Sequence, residues 1–151
     1  ETRMDGPHDD SALGETVRAL RDDLCFTEPG GIWSYSNPGY WLAGLVAEET
    51  SGKPYADAVS ERVLRPLGMK RSTFRPTEAM TWPLAIGHGP EGPGKPRVIR
   101  PLADNAGGRP AGQLFTTANE YARFCMAFMN DGKIDGKQAL SRFPQALLSI
   151  L

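Results

Sequence analysis

Residues 33–50 read Trp33-Ser34-Tyr35-Ser36-Asn37-Pro38-Gly39-Tyr40-Trp41-Leu42-Ala43-Gly44-Leu45-Val46-Ala47-Glu48-Glu49-Thr50. A short aromatic, extended segment gives way at Pro38 to an apolar helix. Pro38 suits the first helical position, where its missing N–H costs nothing. Asn37 just before it is a good helix cap, and Tyr35 can pack as a strand aromatic. The same triplet permits a second use. A tyrosine and an asparagine two apart at a loop-to-helix junction can set a phenol beside a carboxamide, as a proton relay and a substrate clamp.

Outward from this junction the pattern is mostly helical. Leu13, Val17, Leu20 and Leu24 recur at i, i+4, i+7 and i+11 and predict one amphipathic helix from Ser11. The helix over 39–50 is apolar on most sides and is expected to be largely buried, stopping at Gly52. After Pro54, Tyr55, Val59, Val63 and Leu67 line one face of a further helix that ends at Gly68. Residues 69–82 read as an irregular excursion. Strands near 83–88 and 96–100 flank a proline-rich tip, Gly89 to Lys95, and predict a hairpin. A glycine-rich loop from Asn105 to Gly112 reads either as a connector needing glycine torsions or as a substrate border. Thr117-Ala118-Asn119-Glu120 is a capping box, opening a helix whose stripe of Tyr121, Phe124, Cys125, Phe128 and Met129 is read as core.

Composition excludes several classes. At 151 residues the chain fits one domain able to bury roughly 70% of its unfolded surface. A net charge of −1 offers no electrostatic reason to expect nucleic acid as partner. No apolar run reaches the roughly 20 residues of a membrane-spanning helix. Cys25 and Cys125 are a hundred positions apart and give neither a disulfide framework nor metal-ligand spacing; Cys125 reads as a buried, inert thiol. His8 and His88 are too few and too separated for a zinc site, and His88 reads as a surface or packed residue. No cofactor and no metal are expected. The chain opens at Glu1 without an initiator methionine and closes at Ile150-Leu151 within what reads as the start of another helix. Both ends look cut, which leaves the compartment open.

The order of these blocks resembles the serine β-lactamase and penicillin-binding-protein superfamily, in particular class C β-lactamases, their esterase relatives and D-amino-acid-specific peptidases. Pro29-Gly30 precedes Trp33-Ser34-Tyr35-Ser36-Asn37; then come the helix over 39–52 and Val63-Leu64-Arg65-Pro66-Leu67-Gly68-Met69 ahead of Thr73-Phe74. Further on, Ala111-Gly112-Gln113-Leu114-Phe115-Thr116-Thr117-Ala118 leads into Tyr121-Ala122-Arg123-Phe124. The likeness covers about residues 15–142.

The resemblance implies a mainly α chain with a small β-hairpin: the helical lobe of the β-lactamase/transpeptidase-like α/β fold, with the main sheet largely outside it. It implies acyl-enzyme chemistry on an ester, a β-lactam or a D-amino-acid peptide, with no cofactor. Tyr35 would relay a proton to or from the attacking serine. An unperturbed phenol titrates at about 10, so such a base needs cationic neighbours, the service of the motif lysines. Asn37 would hold the substrate amide or ester, and Gly112 and Gln113 would border the floor of the site.

One departure limits this reading. Of the eight serines, seven have a third-following residue, and none of these is lysine: Gly14, Asn37, Gly39, Pro54, Val63, Arg75 and Pro144. No lysine is followed by Thr-Gly or Ser-Gly, so the nucleophile is not in the chain. Two expectations follow: a piece of a hydrolase that is inactive alone, or a non-catalytic relative kept for binding or assembly. An isolated lobe would also expose its sheet-facing apolar surface, with self-association expected.

Overall fold

A computed structural model of the chain describes residues 6–22, 27–28, 30–92, 94–100, 102 and 104–142. Leu24, Cys25, Pro29 and the helix expected near Ile150 lie outside these residues. The chain forms two compact units, the first running to Tyr55 and resuming over Pro83–Gln113, the second comprising Ala56–Trp82 and the chain from Leu114.

In the first unit, α1 (Ala12–Arg18) passes into a 3₁₀ turn, Ala19–Asp22. Helix α2 (Asn37–Ser51) ends at Gly52, whose φ of 65° makes the left-handed stop foreseen from sequence. A second 3₁₀ turn, Ala106–Ala111, packs against both helices. The approach is close enough to require glycine: a Cβ on Gly44 of α2 would lie 2.2 Å from Pro110 Cγ, and one on Gly107 would lie 2.3 Å from Thr16 Oγ1 of α1. The glycine-rich stretch is therefore a packed turn, with Ala106, Gly107, Gly108 and Arg109 buried.

Burial of α2 departs from expectation. Only Gly44 is buried among its residues, while Tyr40, Leu42 and Val46 are all more than half exposed. The cause is geometric. A helix apolar on most sides buries only the stripe that a neighbour covers, and within this unit α1 and the 3₁₀ turn cover one face.

The predicted hairpin forms, but shifted. Strands β1 (His88–Gly92) and β2 (Lys95–Val98) are antiparallel, pairing His88 with Val98 and Pro90 with Pro96, with a bulge before Gly92. Pairing runs into what was read as the tip, and residues 83–87 form no strand. The tight turn at Gly94, φ 76°, replaces the loose proline-rich loop.

The second unit is built on α3 (Tyr55–Val59, begun at the boundary), α4 (Pro76–Ala79) and α5 (Ala118–Met129). The helix expected to run evenly to Leu67 instead widens after Val59 into a π-helical turn, Ser60–Leu64, before Gly68, φ 71°, ends the run. Its core gathers Leu64, Leu67, Met69, Ala127 and Ile134, with Val59, Val63 and Phe124 packed against them. Residues 69–82 are irregular, as expected, apart from α4 and the bridge at Thr73. Ser72, Thr73 and Phe74 are buried, and Thr73 exchanges two backbone hydrogen bonds of 2.9 Å with Phe115.

The capping box is half realised. Thr117 accepts from the Glu120 N–H at 3.3 Å. The Glu120 carboxylate does not return to the cap but accepts from Arg71 N–H at 3.0 Å and from the Ser72 hydroxyl at 2.6 Å. The hydroxyl of buried Ser72 has a stronger claim on it than a solvated N-terminus. The α5 stripe is also only partly core. Ala127 is fully buried and Cys125 half-buried, but Tyr121 and Met129 are exposed. Tyr121, Phe124 and Phe128 stack instead along the helix, with centroids 6.1 and 6.3 Å apart.

A second hairpin was not foreseen. Strand β3 (Lys133–Ile134) pairs with β4 (Lys137–Gln138) across Asp135-Gly136. Both turn residues have positive φ, 51° and 73°, the signature of a two-residue type I′ turn.

Candidate active site

Residues 33–36 lead into α2 without regular secondary structure, leaving Tyr35 73% exposed and Trp33 87% exposed. Ser36 holds the cap position with extended backbone, and its hydroxyl accepts from Gly39 N–H at 3.2 Å. This corrects the sequence reading at one point: the cap is Ser36, and Asn37 is the first residue of α2, with Pro38 following. A serine hydroxyl reaches the N–H three residues on without strain, and the shift by one residue still leaves Pro38 in the first turn, where no N–H is needed.

Gly112 and Gln113 close the 3₁₀ turn. The N–H of Gly112 donates to Arg109 C=O at 3.1 Å. Gln113 adopts left-handed backbone, φ 65°, uncommon for a residue with a side chain. Its Oε1 accepts from the Asn105 N–H at 3.1 Å, which ties the two ends of the turn together. Among the described residues, and apart from its chain neighbours, nothing lies within 4 Å of where a Cβ on Gly112 would stand. The turn is linked to the tyrosine motif through α2. Pro110 sits on Gly44, and Gly44 is seven residues beyond Asn37, on the same helical face and about 10 Å along the axis.

What holds this assembly is a charged group that sequence reasoning missed. The Arg109 side chain is 5% exposed and donates to Asp10 Oδ1 at 2.9 Å, with Asp104 Oδ1 at 3.5 Å. His8 Nδ1 lies 2.8 Å from the other Asp104 oxygen. Ala106 N–H donates to Pro7 C=O at 2.8 Å, and Gly6 N–H to Asp104 C=O at 3.1 Å. Residues 6–10 are thereby laced to the 3₁₀ turn. A lone arginine in a glycine-rich stretch carries no sequence signal of burial, since its hydrogen-bonded carboxylate, Asp10, is 99 positions away.

At the other end of α2, the Glu48 carboxylate accepts from Tyr55 N–H at 2.7 Å. Partial burial raises its pKa above the usual 4.5, with Asp10 and Glu49 adding to the effect and the Tyr55 N–H opposing it. Burial likewise raises the Tyr55 phenol. The folded state thus favours neutral Glu48, so its stabilising share is complete below the ordinary glutamate value and is lost as pH rises through the raised one. Glu48→Gln keeps an acceptor and removes the charge. We expect it to stabilise the chain at pH 7 by at most about 0.5 kcal/mol, given solvent screening, with the difference vanishing below roughly pH 4. Urea denaturation at the two pH values checks both the sign and the disappearance.

Known proteins resemble this chain along most of its length. The β-lactamase family profile matches residues 2–149. Penicillin-binding protein 4 of Amycolatopsis lactamdurans is 31% identical over 149 residues, covering 96% of this chain and 39% of that protein. Among solved structures, the octameric penicillin-binding protein homologue from Pyrococcus abyssi matches with a TM-score of 0.71 at 25% identity, over 87% of this chain and 28% of that one. D-amino acid amidase from Ochrobactrum anthropi SV3, complexed with L-phenylalanine amide, gives 0.66 at 26% identity, over 93% and 39%. The chain belongs to the β-lactamase family of serine-hydrolase-like proteins. It is mainly α and corresponds to part of the β-lactamase/transpeptidase fold, spanning about two fifths or less of the length of these relatives.

Proposed function

We propose that the chain supplies the tyrosine motif of a serine hydrolase that works through an acyl-enzyme on an ester, a β-lactam or a D-amino-acid peptide or amide. Tyr35 is the proton relay between the nucleophile and the leaving group. Asn37 clamps the substrate amide or ester, and Gly112 with Gln113 borders the site. The observation that carries this reading is the division of labour at the start of α2: Ser36 takes the capping role, so capping does not account for an asparagine at position 37. The exposed phenol of Tyr35 beside it is consistent with a surface that meets substrate. The amide bound to the amidase relative supports including amino-acid amides in the substrate class.

Two substitutions separate capping from catalysis in the complete hydrolase that this reading implies. Ser36→Ala should cost about 1 kcal/mol of stability and leave turnover near normal at permissive temperature. Asn37→Ala should do the reverse, lowering kcat/KM about a hundredfold or more with little change in the unfolding midpoint. Normal turnover by Asn37→Ala would remove the clamp.

The 151-residue chain by itself holds no Ser-x-x-Lys motif and no Lys-Thr-Gly motif. It should therefore leave nitrocefin and p-nitrophenyl esters unhydrolysed above the buffer rate. Stoichiometric turnover by this chain would show that a serine within it suffices.

A further inference from the structure

The second unit contains a cleft of about 460 Å³, within the size range of small-molecule sites and lined by none of residues 33–37. Its wall is shaped by the π-helical turn. Residues five apart on an α-helix diverge by about 140° around the axis. Here the Arg65 N–H bonds to Ser60 C=O at 2.9 Å, five residues back, and the wider turn brings Ser60 and Arg65 onto one face, where both line the cleft. Such turns are concentrated at functional sites, and this one sets Arg65, an exposed residue, at the wall of the cleft.

The charges and donors around the cleft are unequally engaged. Asp57 is paired with Arg75 at 3.1 Å, and Glu78 accepts the Thr73 hydroxyl at 2.6 Å. The Ser72 hydroxyl donates to Glu120 at 2.6 Å, and that of Thr81 to Glu78 C=O at 2.8 Å. Four donors remain without a protein partner among the described residues: the Arg65 guanidinium, the Lys70 ammonium, the Ser60 hydroxyl and the Trp82 indole N–H. Both carboxylates are thus engaged while two cations are not. Met69 and the half-buried Trp82 add an apolar wall beside them.

We infer that this cleft binds a small organic oxyanion, a phosphate or carboxylate head on a flat apolar body. Arg65 and Lys70 take the head through charge-assisted hydrogen bonds, Ser60 donates a third, and Trp82 lies against the ring.

Calorimetric titration of the 151-residue chain with phenyl phosphate tests this. One molecule should bind with a Kd on the order of 1 mM or tighter, and benzoate in parallel shows which head is preferred. The double variant Arg65→Ala, Lys70→Ala should weaken binding by about tenfold or more, as loss of two charge-assisted contacts implies. Both side chains belong to exposed residues, so far-UV circular dichroism should be unchanged; if it is not, Arg65→Gln with Lys70→Gln serves the same purpose. Trp82→Phe should weaken phenyl phosphate while leaving inorganic phosphate unaffected. Absence of saturable binding by either anion overturns the inference, as does equal affinity in the double variant. Benzyl alcohol binding as tightly as phenyl phosphate overturns the role of the cations, and inorganic phosphate doing so overturns that of the ring.

Discussion

Tyr35→Phe in the complete hydrolase should lower the acylation rate by about 10²–10⁴-fold, the usual contribution of a positioned acid–base group, while leaving the unfolding midpoint unchanged. The stability half of this expectation rests on burial: the Tyr35 ring is 73% exposed within this chain, so removing its hydroxyl opens no cavity and strands no buried partner. The rate half rests on the proposed role, because phenylalanine keeps the ring and removes only the proton the relay would move. Stopped-flow acylation with a chromogenic ester, beside a thermal melt, reads both. An unchanged rate with normal stability would remove Tyr35 from the chemistry and leave the motif a packing element.

Arg109→Ala should have the largest effect on folding, a loss of about 3–5 kcal/mol, as expected when one member of a buried ion pair is removed. Asp104, whose side chain is 12% exposed, would keep its charge with only His8 beside it, and Asp10 would lose its 2.9 Å partner. Arg109→Lys should recover part of the loss, since an ammonium supplies the charge but not the planar fork that reaches Asp10 and Asp104 together. Because the same side chain sits within the 3₁₀ turn that ends at Gly112, Arg109→Ala should also expose the amides of 106–112 to hydrogen exchange before the rest of α2. A denaturation midpoint within error of the unsubstituted chain would mean that the first unit does not depend on this ion network.

The contrast between Tyr35 and Arg109 shows what was legible in sequence. Family, mainly α class and the helix boundaries at Gly52 and Gly68 could be read because local chemistry sets them: a left-handed stop is encoded by one residue. The Asp135-Gly136 hairpin was equally local and was overlooked, although Asp-Gly between short strands is a strong turn signal. Arg109, the Glu120 contact to Arg71 and Ser72, and the π-helical turn were not legible. The first two depend on which distant segment comes to pack there, as residue 10 does with 109. Apolar pattern also misjudged burial in α2 and α5. Periodicity says which face can be buried; it does not say whether a neighbour arrives to cover it. In the candidate site, the identities of Tyr35 and Asn37 came from sequence, but that Ser36 rather than Asn37 caps the helix required coordinates.

The small β1–β2 ribbon has a consequence for how this apolar-faced chain behaves in solution. Ile99 N–H donates to Gly87 C=O at 2.8 Å, which makes that pair a hydrogen-bonded one. Alternation along the ladder then makes Pro90 and Pro96 a non-hydrogen-bonded pair. At such a pair the backbone N–H positions face outward, away from the partner strand. Proline has none to offer, so both outer edges of the ribbon lack a donor at the same level, though the carbonyls remain. The ribbon keeps its internal ladder while offering a further strand one donor fewer on each edge, which weakens edge-to-edge pairing there.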